Sequence, residues 1–340
     1  MTTISSSRIS AVHPLWAVEG GRVTIEGSEL PVEPVLPRVT IGGVPARLTT
    51  ASPTSLTAIV PSGLEGGHTA IRIDEFAGET AYVEIGAPLA TGLHQVDSPA
   101  IDTEGNVYVT FSGSRGQQGP VAIFIVRPNG SREPFVADLA NPTSLAFSPD
   151  GALHVSSRFD GSVHRVDADG TITMVATDLG VACGIAFASD GTLFVGDRSG
   201  SILRVREGRA TMFASIPASV AAFHLAFGPD GWLYVTAPTL AARDPVYRIA
   251  PDGAVEVFYD GFGRPQGLAF DAHGDLYVVD AVAGGSGLYR IPVDRPADPE
   301  QVLSGGSLIG LAFYPDEGFV LASSDTVYRF GRSPAARRRA

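Results

Sequence analysis

Short apolar segments, each bounded by Gly, Pro or Asp, recur along most of the chain. Val, Ile, Leu, Tyr and Phe dominate these segments, which is typical of β-strands rather than helices. Gly and Pro are abundant, at 40 and 25 residues, and supply many tight turns. The pattern predicts an all-β protein.

One phrase repeats from about residue 98 onward. It contains an apolar segment ending in Phe, and the phenylalanines at positions 147, 187, 227, 270 and 313 are spaced 40, 40, 43 and 43 residues apart. A glycine turn follows, such as Pro149–Gly151, and then two further strands, such as Leu153–Val155 and Val163–Val166. Together with a divergent first copy at Ser98, these repeats predict a six-bladed β-propeller over residues 87–331.

The last repeat stops after its third strand, at Phe330. A ring of blades has to protect its free edges. We therefore expect residues 86–95, which include the apolar segment Leu89–His94, to supply the fourth strand of the last blade and to close the ring.

The first 86 residues follow a different pattern. Alternating strands such as Arg22–Ile25 and Val39–Ile41 are separated by the glycine pairs Gly20-Gly21, Gly42-Gly43 and Gly66-Gly67. This spacing predicts a small β-sandwich over residues 1–86. The arginine-rich residues 332–340 are predicted to be a disordered tail.

Charge and composition exclude several function classes. The net charge is −12, which argues against a nucleic-acid partner, and the absence of Lys excludes a catalytic lysine. The single cysteine, Cys183, cannot form an intrachain disulfide.

The longest apolar run of the repeat region, Val121–Val126, is far shorter than the roughly 18 residues of a membrane span. The first ten residues contain no apolar signal segment, so the default expectation is a cytoplasmic location, or an extracytoplasmic one if the natural start lies upstream.

The N-terminal part resembles a known family. The segments Gly20–Ser28, Val39–Ala46 and Val60-Pro61 are similar to IPT/TIG domains. The resemblance implies an immunoglobulin-like sandwich that serves as a spacer or interaction module without chemistry of its own.

The repeats resemble NHL-type and SMP-30/gluconolactonase/LRE-like six-bladed propellers, most clearly in Pro265–Asp280. The NHL resemblance implies a protein that binds partners on one face. The gluconolactonase resemblance implies a hydrolase that opens lactones with a single divalent cation, Ca²⁺ or Mg²⁺, in the central channel.

The ligand positions of that cation are only partly preserved. The family's first acid falls on Asp97, its two asparagines on Thr143 and Cys183, and its aspartate on Gln266 or His224. Only Asp97 retains an ionised oxygen ligand of the kind that these cations prefer. A metal site at Asp97 and an enzymatic activity therefore stay open.

The residues that open the repeats' inner strands are candidate site residues in their own right. We expect them to converge at one end of the channel and to line a ligand pocket: Asp97, Thr143, Cys183, His224 and Gln266. Cys, His and Asp could also act as nucleophile, base and orienting acid, or as soft-metal ligands. The structural alternative is that Cys183 is an inert buried residue and His224 a hydrogen-bonded one.

Charged residues also cluster on the connections after the second strand of each repeat. We expect them on the same face as the pocket, either as binding residues or as solvated surface charge: Arg158, Asp160, Asp197, Arg198, Arg243 and Asp280. The sequence thus favours a propeller that binds a small molecule or a protein and carries an immunoglobulin-like accessory module. A divergent lactone hydrolase is the alternative, and a structural adhesion module is the third hypothesis.

Overall fold

The computed structural model describes residues 8–74, 76, 78–221, 223–282, 285–292, 295, 298–315 and 318–331. These residues form thirty-two β-strands and no helix, which confirms the all-β class. Consequently, the described part of the chain contains no helix with the length and hydropathy needed to cross a membrane. The arginine-rich segment 332–340 lies outside the described residues.

The strands follow one another in chain order as follows: β1 Arg8–His13, β2 Trp16–Ala17, β3 Arg22–Ser28, β4 Val39–Ile41, β5 Val44–Ser52, β6 Ser55–Ile59, β7 Gly67–Ile73, β8 Ala81–Ile85, β9 Ala87–Ala90, β10 Ala100–Ile101, β11 Val107–Thr110, β12 Ile123–Val126, β13 Arg132–Val136, β14 Pro142–Phe147, β15 Leu153–Ser157, β16 Ser162–Val166, β17 Ile172–Ala176, β18 Ala182–Phe187, β19 Leu193–Asp197, β20 Ser201–Arg206, β21 Arg209–Ser215, β22 His224–Phe227, β23 Leu233–Thr236, β24 Asp244–Ile249, β25 Val255–Phe262, β26 Pro265–Phe270, β27 Leu276–Asp280, β28 Gly287–Ile291, β29 Glu300–Ser304, β30 Leu308–Phe313, β31 Phe319–Ser323 and β32 Val327–Phe330. The chain forms two compact units, and the first contains β1–β8 with the short segments 283–289 and 301–306.

Unit 1 is built from antiparallel pairs along the order β1-β3-β6-β5-β4-β7-β8. Burial alternates along its strands: in β3, Val23 and Ile25 are buried between the exposed Arg22 and Glu26. This alternation places one face of each strand on an apolar core, which includes Leu56 and Val83.

Unit 2 contains five separate four-stranded antiparallel sheets, each formed by one repeat: β10–β13, β14–β17, β18–β21, β22–β25, and β30–β32 with β9. Within a sheet, the first two strands are joined by a tight turn whose glycine has a positive φ, 82° at Gly151 and 83° at Gly191. Only glycine adopts such a φ without strain, which explains the Asp-Gly pair in these turns.

The sequence predicts six blades, whereas the separate four-stranded sheets number five. The remaining repeat is divided: β26 and β27 belong to unit 2, while most of β28 and β29 belong to unit 1. This repeat is divided because its last strand pairs within unit 1: Trp16 and Ala17 of β2 pair in parallel with Leu303 and Ser304 of β29.

The predicted closing strand is confirmed. Strand β9 is the outer neighbour of β32 in the last sheet. Residues of this segment, Ala90 and Leu93, share one core cluster with Val109 of β11 and with Val320 and Val327 of the last repeat. The beginning and the end of unit 2 are therefore packed together.

The inner strands approach one another at backbone distance. A Cβ atom added to Gly267 would lie 2.7 Å from the carbonyl oxygen of Ile309, and one added to Gly310 would lie 2.6 Å from the Cα of Ser98. Each inner strand contacts the next, in the order β10, β14, β18, β22, β26, β30 and back to β10. We call the end where these strands begin the mouth; it carries Asp97, Thr143, Cys183, His224 and Gln266.

Candidate functional site

A buried histidine–aspartate pair lies at the mouth. The Nδ1 atom of His224 is 2.5 Å from the Oδ1 atom of Asp97, and the two residues are only 2% and 4% exposed. They are 127 positions apart in sequence and meet because the inner strands surround one axis. A carboxylate only accepts hydrogen bonds, so the Nδ1 atom of His224 donates to Asp97.

Two polar atoms of this pair have no hydrogen-bond partner among the described residues. The Oδ1 atom of Asp97 also accepts from the backbone N–H of Ser98, at 2.6 Å, but its Oδ2 atom and the Nε2 atom of His224 are buried and unpaired. A buried polar atom without a partner costs about 1–3 kcal/mol. The pair can therefore orient an imidazole and offer one polar atom on each residue to a bound molecule.

The thiol of Cys183 lies in the same electrostatic environment. Burial raises its pKa to about 12, and the charge of Asp97 acts in the same direction, against a hydrogen bond from the backbone at Phe223 and the charges of Arg198 and Arg158. At neutral pH the group is a protonated thiol, and a thiol is a poor nucleophile compared with its thiolate. The structure thus favours the inert, packed cysteine over the nucleophile hypothesis.

Thr143 and Gln266 are buried at the mouth but bond locally. The hydroxyl of Thr143 donates to the carbonyl oxygen of Asn141 at 3.1 Å, and the side-chain amide of Gln266 donates to the carbonyl oxygen of Arg264 at 3.5 Å. No hydrogen bond found among the described residues links either side chain to the His224–Asp97 pair.

These residues do not fit the divalent cation that the gluconolactonase resemblance implies. In the described part of the chain, no group of three or more His, Cys, Asp or Glu side chains could hold a metal. Asp97 carries the one carboxylate among the five residues of the mouth, and its Oδ1 atom already accepts hydrogen bonds from His224 and Ser98. Ca²⁺ and Mg²⁺ prefer several oxygen ligands, so a single free carboxylate oxygen is insufficient.

The acids of the mouth loops hold the backbone. Asp280 accepts from the N–H groups of Gly263 and Arg264 at 3.1 and 2.6 Å, and Asp197 accepts from the N–H of Val181 at 2.8 Å. Each thereby ties the end of a second strand to the start of the inner strand of its own repeat. Both aspartates are the fifth residue of their strand, a periodic signal that could have identified this role.

Asp160 is exposed and also bonds locally, because its backbone N–H donates to the hydroxyl of Ser157 at 3.2 Å. Arg243 is exposed on the loop before β24. Arg158 and Arg198 are half-buried, and their backbone N–H groups bond to the inner-strand entries at Asn141 and Val181. The backbone of both arginines therefore lies beside the entries of inner strands.

Sequence reasoning missed the buried Asn141. Its Nδ2 atom donates to the carbonyl oxygens of Ser112 and Ser114, the latter at 2.9 Å, and its Oδ1 atom accepts from the N–H of Gly116 at 2.6 Å. These bonds hold the loop that carries Arg115 next to Phe159, whose ring lies 2.9 Å from the position of a Cβ atom on Gly116. The chain has only three asparagines, and a buried one with a positive φ, 46°, marks such an anchor.

One domain family matches part of unit 1. The IPT/TIG domain model matches residues 7–74. No curated protein matches the chain.

Several solved structures share the fold. An auxiliary nutrient binding protein from Bacteroides thetaiotaomicron is 13% identical, with coverage of 96% of this chain and 98% of that chain and a TM-score of 0.53. A structure described as a putative gluconolactonase is 18% identical over 72% of this chain and 90% of that one, with a TM-score of 0.58. A catalytically inactive virginiamycin B lyase from Staphylococcus aureus, solved with quinupristin, is 15% identical over 96% of both chains, with a TM-score of 0.53. At these identities the matches show a β-propeller arrangement.

Proposed function

We propose that this protein binds a small molecule at the mouth of a six-bladed propeller formed by residues 87–331. Residues 1–86 are proposed to form an immunoglobulin-like accessory sandwich, which the IPT/TIG match supports. The sixth blade is assigned to β26–β29, because β26 contacts the inner strands β22 and β30 on either side of it.

The observation that carries the proposal is the pair of unpaired buried atoms, Nε2 of His224 and Oδ2 of Asp97. Buried polar atoms in folded proteins almost always have a partner. These two belong to residues from distant repeats and lie where the inner strands begin, so a bound molecule is a natural partner for both. Small-molecule sites typically combine a concave position with a few convergent polar groups.

Two neighbours are consistent with this reading. One is described as a nutrient binding protein, and the virginiamycin B lyase was solved with quinupristin. The lactone-hydrolase hypothesis has less support, because the residues at the mouth supply a single carboxylate instead of a cation site. A purely structural adhesion module would leave the two buried atoms unexplained.

The test is a thermal-shift screen of sugars, sugar lactones, amino acids and organic acids. The variant His224→Asn keeps a donor for Asp97 but removes the Nε2 atom, and His273→Asn, at an exposed turn, is the matched control. A ligand at 100 times its Kd stabilises a protein by about 2.7 kcal/mol. We expect at least one compound to raise the Tm of the wild type and of His273→Asn but not that of a folded His224→Asn. If every compound that shifts the wild type shifts His224→Asn equally, the mouth is not the site.

A further inference from the structure

Several arginines of unit 2 that lie away from the mouth are paired with acids: Arg165 with Asp150 at 3.0 Å, Arg206 with Asp190 at 3.3 Å, Arg248 with Glu256 at 2.7 Å, and Arg290 with Asp275. At the mouth, Arg115, Arg158 and Arg198 form no ion pair with any described residue. The carboxylates of the neighbouring Asp160 and Asp197 accept from serine hydroxyls or from a backbone N–H instead.

Arg158 is the most informative member of the mouth group. Burial lowers the pKa of its guanidinium, and the charges of Arg198 and Arg115 act in the same direction, opposed by Cys183. A partly desolvated cation beside two like charges is unfavourable unless an anion compensates it. Arg198 is held in place, because its Nη2 atom donates to the carbonyl oxygen of Val220 at 3.0 Å.

Large apolar side chains are exposed on the same loops. Phe159 is 51% exposed beside Arg158, and Leu240 is 89% exposed on the loop that follows β23. Val220, 40% exposed, bonds through its backbone both to Arg198 and to the loop at Pro238. Val282 is also exposed, beside Gly263 at the entry to β26. The rim of the mouth therefore combines positive charge with apolar surface in a protein whose net charge is −12.

We propose that the ligand is an organic carboxylate with an apolar body, bound by the guanidinium groups of Arg158 and Arg198 and covered by the apolar rim. This inference rests on the proposed function and names its ligand class. A guanidinium recognises a carboxylate through two parallel N–H···O bonds, which gives both strength and orientation. The unpaired atoms of His224 and Asp97 are then available to a polar group elsewhere on the ligand.

The test compares carboxylates with their uncharged amides by isothermal titration calorimetry on the full chain. The probes are benzoate, phenylacetate, 3-phenylpropionate and octanoate, each with its amide, together with acetate and inorganic phosphate. We expect at least one apolar carboxylate to bind, and its amide and acetate to bind at least tenfold more weakly. Arg158→Gln and Arg198→Gln should each weaken the carboxylate at least tenfold, whereas Arg165→Gln, which removes an ion pair away from the mouth, should leave its Kd unchanged.

The outcomes separate this inference from the proposed function. Equal binding of a carboxylate and its amide, with loss of both in His224→Asn, would overturn the carboxylate assignment and leave the mouth as the site. Binding of phosphate or acetate in preference to every apolar carboxylate would overturn the statement that the ligand has an apolar body. If no carboxylate binds while an uncharged compound from the thermal-shift screen binds in a His224-dependent way, the ligand class is wrong. If neither screen yields a His224-dependent ligand, the inference falls together with the proposed function.

Discussion

The variant Gly310→Ala tests ring closure, because a closed ring and an open ring predict opposite changes in the free energy of unfolding. Gly310 is the third residue of β30, in the last repeat, and its Cα faces the segment that begins the first repeat. A Cβ atom added there would lie 2.6 Å from the Cα and 2.8 Å from the backbone nitrogen of Ser98. Real Cβ atoms essentially never come within 3.0 Å of such atoms, and backbone atoms cannot move aside as a flexible side chain can.

The expected magnitude follows from two opposing effects. Overpacking a well-packed position costs about 1–3 kcal/mol, and replacing a strand glycine by alanine returns about 0.5–1 kcal/mol through the unfolded state. In the closed arrangement Gly310→Ala should therefore lower the free energy of unfolding, by up to about 2.5 kcal/mol. If the first and last repeats did not meet, only the second effect would remain, and the variant would be slightly more stable.

The assay is urea unfolding followed by the fluorescence of Trp232, in a Trp16→Phe background. The chain has two tryptophans, so this background leaves a single probe, which lies in unit 2. Gly331→Ala is the matched control, because a Cβ atom there meets nothing within 4 Å, and it should change stability by less than about 0.5 kcal/mol. An unfolding midpoint for Gly310→Ala above that of its parent would refute the closed ring, and with it the meeting of Asp97 and His224.

Two further predictions concern buried titratable groups. Because burial raises the pKa of Cys183 to about 12, iodoacetamide at mildly alkaline pH should alkylate the native thiol far more slowly than the urea-unfolded one; equal rates would show that the thiol is exposed. Burial and the neighbouring Asp102 raise the pKa of Tyr108 from 10.0 to about 12. A folded pKa above the unfolded one stabilises the protein below pH 10, and this contribution is lost as the pH rises from 10 to about 12. The wild type should therefore lose more stability over that range than Tyr108→Phe, measured as urea midpoints, and parallel curves would contradict the assignment.

Much of the fold follows from the chain's periodicity. The positions of the repeat strands, the turns at Gly151 and Gly191 and the closing strand β9 were accessible, because each reflects a local pattern or the repeat length. The number of separate sheets was not, because it depends on the pairing of β2 with β29. That pairing joins residues nearly the whole chain apart, and Trp16-Ala17 is too short a segment to carry a strand signal of its own.

The site was predictable in position but not in chemistry. Repeat alignment placed Asp97 and His224 at the starts of inner strands, and the structure brings their side chains to 2.5 Å. The periodic position of Asp280 could have indicated its bonds to backbone N–H groups, but no pattern in the sequence showed that Arg158 would lack an acidic partner.

Ring closure and the proposed ligand binding would be coupled in this arrangement. Asp97 precedes the first repeat's inner strand and His224 opens the fourth's, so the pair exists only while the inner strands surround one axis. A molecule that contacts both residues binds the closed state alone, and it therefore stabilises closure by the free energy of its own binding. The converse also holds: a change that strains the junction at Ser98, one residue from Asp97, should weaken the ligand as well as the fold. If the unpaired atoms at the mouth bind the proposed ligand, a change in the packing of the repeats should alter binding, and binding should in turn stabilise that packing.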